Sequence, residues 1–302
     1  MTINICIPSY KRSDNLKTLD WIPLSYKDNV YLYVRENEYD AYHANYGDKC
    51  HVIPITNVNN IGETRRALCD HQLTLNKSNR IWQLDDDVTI HDAYFATWCK
   101  PISGCPVIRP FKNAVSESLF YALIHQITTA IDNGYAHGAI TPNTGFPRKG
   151  YNYPTRVNTF AFTNTWLDLS KIPPHLITYP LGNLACDNYI WLALITNGFK
   201  SLTISNFIAN SSKPGTKGGC TTQRTNTSWK SDVDRVILDF PNNAFYYKPR
   251  GTLGFSETSE GRVALQMKVP IPDKHIVNER RLTTDWIAIN KSKGVLDKQK
   301  NR

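Results

Sequence analysis

No window of the 302-residue chain holds an apolar run that could cross a bilayer, which takes about 20 consecutive residues. The first residues, Met1-Thr-Ile-Asn-Ile5, lack the basic, apolar, then small-residue order of a secretory leader. A soluble, non-secreted protein of the cytoplasm is expected. Structural zinc is also disfavoured: the seven cysteines, at positions 6, 50, 69, 99, 105, 186 and 220, form no Cys-x-x-Cys pair and have no suitably spaced histidine pair nearby. Their odd number argues against a disulfide framework. Apolar neighbours, as around Cys6 in Asn4-Ile-Cys-Ile-Pro8, suit small core filler in a reducing compartment. No internal repeat or clean linker divides the chain.

What is present is an ordinary globular composition, 41% apolar and 20% charged, enough for one large domain or two small ones. The formal charge of +9 implies an anionic partner. Nucleic acid, nucleotide-sugar and a membrane surface all qualify on charge alone.

The most unusual stretch is Arg80-Ile-Trp-Gln-Leu-Asp-Asp-Asp-Val-Thr-Ile90, where an apolar run breaks into Asp85, Asp86 and Asp87. Like charges about 4 Å apart repel by roughly 1 kcal/mol in water and by more near a protein, so an opposing cation is expected. Hard carboxylate oxygens at a strand end suit Mg²⁺ or Mn²⁺, which take the rest of their shell from water and phosphate. A solvated acidic turn is the plain alternative.

In chain order, Asn4–Pro8 reads as a buried strand followed by the cationic loop Ser9-Tyr-Lys-Arg-Ser13 and a helix over Asp14 to Asp20. Asn29–Val34 and His51–Ile55 are further strands, with a helix over Glu38 to Tyr46 between them that Gly47 can end. Gly62 opens a helix carrying Arg65 and Arg66 in its first turns, a ready site for phosphate or merely a solvated helix face. Strand Arg80–Leu84 then delivers the aspartates. This alternation predicts an α/β fold with a mostly parallel sheet flanked by helices, and ligands in such sheets bind at the strands' C-terminal edge.

Further on, Ser116 to Asn133 carries a helical apolar stripe ending at Gly134, with His125 as a structural histidine. His137 to Tyr153, rich in Gly, Pro, Asn and Thr, reads as a loop, and Asn158–Thr163 as a strand. Asp187 heads a helix ending at Gly198, where it is a cap or a carboxylate aimed into a cleft. After a strand over Ser201 to Ala209, the polar stretch Asn210 to Thr222 reads as a mobile lid or a surface loop. A helix over Lys230 to Phe240 follows. Phe245-Tyr-Tyr-Lys-Pro-Arg-Gly251 interleaves aromatics with cations, a pattern that fits stacking on bases and touching phosphates or a strand packed against the core, and the stretch from Asn290 onward reads as a frayed basic tail.

These motifs together resemble the nucleotide-sugar glycosyltransferases of the GT-A fold. Ile7-Pro-Ser-Tyr-Lys-Arg12 is similar to that fold's opening strand and loop, Gly62-Glu-Thr-Arg-Arg66 to its following helix, and Leu84-Asp-Asp-Asp87 to its Asp-x-Asp metal motif. Within that fold the start, the Gly-Glu-Thr-Arg-Arg helix, the triple Asp and the Gly-Gly loop most resemble the bacteriophage TET-associated glycosyltransferases, which modify hydroxymethylated pyrimidines in DNA. The resemblance implies one GT-A domain over 1–270, with a nucleotide-binding half at 1–110, an acceptor half at 111–270 that extends the fold C-terminally, and a basic tail at 271–302. It implies donor contacts from Pro8, Ser9, Tyr10, Arg12, Gly62, Arg65, Arg66, Asp85, Asp86, Lys217, Gly218 and Gly219. Mn²⁺ or Mg²⁺ would sit on Asp85 and Asp87, with Asn210 in place of the late histidine the family often supplies, and Asp187 would be the general base. The implied substrates are a UDP-sugar and DNA carrying 5-hydroxymethylcytosine, with no membrane partner. A polysaccharide or lipid-linked acceptor, a metal-dependent nucleotidyl or phosphoryl transferase, and a non-enzymatic nucleic-acid binder are the competing readings.

Overall fold

The computed structural model describes residues 2–75, 78–92, 109–110, 115–142, 155–157, 164–179, 186–211, 226–247 and 264–267. The loop with Lys217, Gly218 and Gly219, the expected strand Asn158–Thr163 and the basic tail lie outside them.

The four predicted strands near the start are β1 (Asn4–Pro8), β2 (Val30–Arg35), β3 (His51–Ile55) and β4 (Arg80–Gln83). They pair in parallel in the order β3-β2-β1-β4. β1 is buried along its whole length, as a strand covered on both faces requires. The chain winds outward from β1 to β3 and then returns to β1's other side with β4. That reversal opens a crevice at the C-terminal ends of β1 and β4, the switch point where open α/β sheets bind ligands.

The expected helix over Asp14 to Asp20 is only a single 3₁₀ turn, Lys17–Asp20. The predicted helices at Tyr39–Tyr46 (α1), Ile61–Thr74 (α2) and Val115–Asp132 (α3) are present. So is the one at Cys186–Thr196 (α4), and Asn226–Asp239 (α5) starts earlier than expected. α3 and α4 each end in a left-handed glycine, Gly134 (φ 96°) and Gly198 (φ 86°). In both, the glycine and the residue after it donate back to the helix's last turn, Gly134 to Ile131 and Tyr135 to Ala130, Gly198 to Ile195 and Phe199 to Leu194.

Beyond β4 the ten-stranded sheet becomes mixed. The remaining strands are β5 (Thr89–Asp92), β6 (Arg109–Pro110), β7 (His137–Pro142), β8 (Thr155–Val157), β9 (Thr165–Asp168) and β10 (Ser201–Asn210). β9 pairs antiparallel with both β4 and β7, so β7 and its parallel neighbour β10 point the same way as β4. An irregularity between Ile204 and Ile208 lets β10 pair with β8 in its first half and β5 in its second.

The loop expected from His137 is therefore corrected: residues 137–142 form an interior strand. Gly138 is a packing residue, since a Cβ there would lie 2.0 Å from the Leu202 carbonyl oxygen and 2.1 Å from the Trp166 ring. Two apolar layers sandwich the sheet. α1 and α3 contribute Tyr42, Phe120 and Leu123 to one, and α2 and α4 contribute Leu68, Ile190 and Leu194 to the other. α4 also buries Trp191, Leu192 and Ile195 on its outer side against α5 and strand β11 (Ala244–Tyr247), which pairs with β12 (Ala264–Met267). This is why α4 is apolar all round.

Candidate active site

The acidic turn after β4 is held by backbone contacts from the 3₁₀ segment. Buried Thr18 donates its hydroxyl to the Asp85 carbonyl (2.5 Å) and its N–H to the Asp86 carbonyl (3.2 Å), and accepts from the Val88 N–H (3.0 Å). The Trp21 indole donates to the Val88 carbonyl at 2.8 Å. Neither residue carries a sequence signal for this role; their partners lie 67–70 residues away.

Within the turn the three carboxylates have separate fates. Asp86 points inward and is 5% exposed. One of its oxygens pairs with the Arg12 guanidinium and the other accepts from Ser9 Oγ at 2.6 Å. Ser9 spends its one proton there, so the Tyr42 hydroxyl, 2.8 Å away, donates to Ser9 and in turn accepts the Arg12 N–H at 2.8 Å. The result is a directed chain, Arg12 N–H to Tyr42 to Ser9 to Asp86, that fixes the β1 loop on the acidic turn. Burial pushes the Asp86 carboxyl up to about 6, although Arg12 and Ser9 pull it down. Tyr42, which no motif singles out, is pushed by burial to about 12 and stays protonated.

Asp85 and Asp87 flank this anchor and face the crevice more openly, with side chains 30% and 15% exposed. Asp85 Oδ1 accepts from Arg65 Nη2 at 2.9 Å, and Asp87 Oδ2 from Arg12 Nη1 at 3.0 Å. Burial and the neighbouring Asp85 push the Asp87 carboxyl up, against Arg12. Among the described residues no three His, Cys, Asp or Glu side chains converge as a ready-made metal cage. The donor set nonetheless suits Mg²⁺ or Mn²⁺, which bind through one or two carboxylates and complete their shell with water and phosphate. Each flanking aspartate commits one oxygen to an arginine and keeps its second. Asn210 ends β10 opposite Thr89, two residues past Asp87, where the Thr89 hydroxyl donates to its carbonyl at 3.2 Å.

The α2 N-terminus departs from the expected phosphate cradle. Asn60 accepts the Glu63 N–H at 2.9 Å, while the Glu63 carboxylate takes the Asn59 N–H (2.6 Å) and the Asn60 amide (2.8 Å). This is a reciprocal cap that already supplies the negative charge. Gly62 is buried in the first turn. Arg65 and Arg66 diverge, as adjacent helical residues must. Arg65 is 5% exposed and turns inward. Arg66 turns outward to Asp70 (2.9 Å) and the carbonyls of Pro174 (3.2 Å) and Ile177, so it clasps the 174–177 segment and does not reach the acidic turn.

Asp187, in the first turn of α4, is brought to the same edge, where it pairs with Arg65. On the crevice's other flank Pro8 ends β1 in register with Tyr33. The Tyr10 ring lies beneath the Arg35 guanidinium (4.0 Å) and Lys11 Nζ (5.0 Å). Lys11 adopts φ 56°, and its N–H is taken by Glu38 at 3.1 Å. No helix among the described residues is long and apolar enough to cross a membrane.

A family model described as TET-Associated Glycosyltransferase matches residues 3–134, the span that contains the acidic turn, Arg12 and Arg65. The chain is 34% identical over 244 residues to the Beta-glucosyl-HMC-alpha-glucosyl-transferase of Enterobacteria phage T6, covering 80% of this chain and 82% of that one. It is 32% identical over 278 residues to the protein of the same name from Enterobacteria phage T2, covering 90% and 94%. Among solved structures, one of a protein from STIV overlays 70% of this chain and 86% of its own with a TM-score of 0.39 at 13% identity.

Proposed function

This chain belongs to the TET-associated glycosyltransferases, and from that premise we propose that it moves a sugar from a UDP-sugar to a hydroxyl carried by hydroxymethylcytosine in phage DNA. The observation that supports this reading is the meeting of the acidic turn and Asp187 at one sheet edge through a single guanidinium. On this reading the carboxylates joined by Arg65, Asp85 and Asp187, serve the donor and the acceptor side of one crevice.

In this mechanism Asp85 and Asp87 would hold a divalent cation, and Tyr10 would offer its ring to the nucleobase. A bound Mn²⁺ or Mg²⁺ supplies a Lewis acid for the charge that develops on the departing diphosphate. Asp187 takes the proton of the acceptor hydroxyl as its oxygen bonds to the anomeric carbon, while the bond from that carbon to the diphosphate oxygen breaks. Asp86, Ser9, Tyr42 and Thr18 keep the turn in place. A positive overall charge favours the approach of the DNA polyanion.

The relatives' names specify a glucosylated hydroxymethylcytosine, so two acceptors belong in the test: DNA with the bare hydroxymethyl group and DNA already carrying a β-glucosyl group there. Each is incubated with UDP-sugars and Mn²⁺, with and without EDTA, and the nucleosides are read by mass spectrometry. The expected result is a hexose increment on one acceptor that is lost in EDTA and in Asp87→Asn. No increment with any donor on either acceptor overturns the substrate assignment; an increment that persists in EDTA overturns the metal.

A further inference from the structure

Arg65 does not sit as a phosphate ligand would. It is 95% buried, since only 5% of its surface is exposed. Its Nη2 donates to Asp85 Oδ1 at 2.9 Å, and its Nη1 pairs with Asp187 Oδ1 and donates to Cys186 Sγ at 3.3 Å. Its Nε has no hydrogen-bond partner. All of its pairing thus occurs at the two terminal nitrogens, one facing the acidic turn and the other facing α4.

We propose that Arg65 is a positioning residue that links the acceptor-side carboxylate Asp187 to the donor-side Asp85 and sets the distance and angle between them. The inference rests on the proposed transfer reaction and deepens it. α4 is held on both sides by apolar contacts, which are non-directional and fix its depth better than its position along its own axis. The first turn of α4 needs a directional contact to bring Asp187 to the crevice. A planar guanidinium supplies one, because its fork fixes the relative orientation of the two groups it bridges, whereas a lysine ammonium behaves as a point charge. Its charge matters equally. Two half-buried carboxylates brought together repel one another, so without Arg65 the acidic turn and the head of α4 separate. Asp187 Oδ1 is committed to Arg65, which leaves Oδ2 as the oxygen that can receive the acceptor's proton. The burial of a guanidinium with a donor left unpaired is costly by itself, which marks the site as maintained for geometry.

The test compares wild type with Arg65→Ala, Arg65→Lys and Arg65→Gln on the acceptor that wild type modifies. A misplacement near 1 Å costs about 100-fold in rate, so kcat is expected to fall by about that factor in Arg65→Ala while the Kd for Mn²⁺–UDP, by calorimetry, changes by no more than about threefold. Millimolar guanidinium, but not equal sodium or ammonium chloride, restores part of the kcat of Arg65→Ala, and Arg65→Lys does not recover it. A loss of Mn²⁺–UDP binding in proportion to the rate identifies a phosphate ligand and overturns the proposal, as does an unchanged kcat. Thermal unfolding of Arg65→Gln, Asp187→Asn and the double variant tests the same link without turnover. Either single change leaves its partner's charge buried, so the double variant is expected to lose no more melting temperature than the worse single; strictly additive losses overturn the link. If wild type itself transfers no sugar, the substrate reading fails, and this cycle still decides the role of Arg65.

Discussion

Replacing Arg12 by Gln isolates the inward-facing carboxylate of the acidic turn. In the wild type, burial holds Asp86 at about 6 against an ordinary 3.8, with Arg12 pulling it down. The folded chain therefore binds this proton more tightly than the unfolded chain. Its ionisation withdraws stability as pH rises from about 4 to about 6 and withdraws nothing more above that. Without Arg12 the folded value climbs further, and Asp87, which also accepts from Arg12, moves the same way. The variant then goes on losing about 1.4 kcal/mol per pH unit above pH 6, until its own higher pKa is passed. Over two pH units that is roughly 3 kcal/mol, in line with the roughly 3–5 kcal/mol lost when one partner of a buried ion pair is removed. At about 2–4 °C per kcal/mol, the Tm gap between variant and wild type should widen by about 5–10 °C from pH 6 to pH 8. Thermal unfolding in EDTA, so that no divalent cation contributes, measures it. A gap that stays constant across that range refutes the assignment of Asp86 as the buried partner of Arg12.

Gly138→Ala places a Cβ against the Leu202 backbone and the Trp166 ring; overpacking of this kind costs roughly 1–3 kcal/mol or more, read as a fall in soluble yield and Tm. Arg66→Met removes the clasp on the 174–177 carbonyls, so Tm should drop by a few degrees for about 1–2 kcal/mol with the donor KM unmoved, whereas a raised donor KM would return Arg66 to the donor site. Tyr10→Ala should raise the KM for the nucleotide-sugar by about tenfold, since base–aromatic stacking contributes roughly 1–3 kcal/mol, and leave kcat for the bound complex nearly intact.

The sequence displayed the parallel half of the sheet because each strand there is a short apolar run bounded by turn residues, and Gly134 and Gly198 announced two helix ends through their freedom at positive φ. It hid β7 for a related reason. Gly138 and Pro142 look like loop composition, yet this glycine is demanded by a tryptophan packed where its side chain would be, and local composition does not distinguish a glycine needed for bending from one needed for space. The site divides in the same way. That three carboxylates stand together after a strand was legible; which of them turns inward was not, because it depends on Ser9 and Arg12, 77 and 74 residues distant from Asp86. Neither could the sequence distinguish Arg65 from Arg66, because neighbouring helical residues point about 100° apart and only tertiary packing decides which face is buried. Once both arginines are placed, the electrostatics of the crevice follow. Among the described residues, the ion pairs of the acidic turn and Asp187 set four carboxylates, Asp85, Asp86, Asp87 and Asp187, against two guanidinium groups, Arg12 and Arg65, while Lys17 adds a smaller downward pull on the Asp87 carboxyl. The ion pairs therefore hold the carboxylates together without neutralising them, and a divalent cation and a diphosphate would meet the residual negative charge at Asp85 and Asp87, the two carboxylates of the acidic turn that are less buried than Asp86.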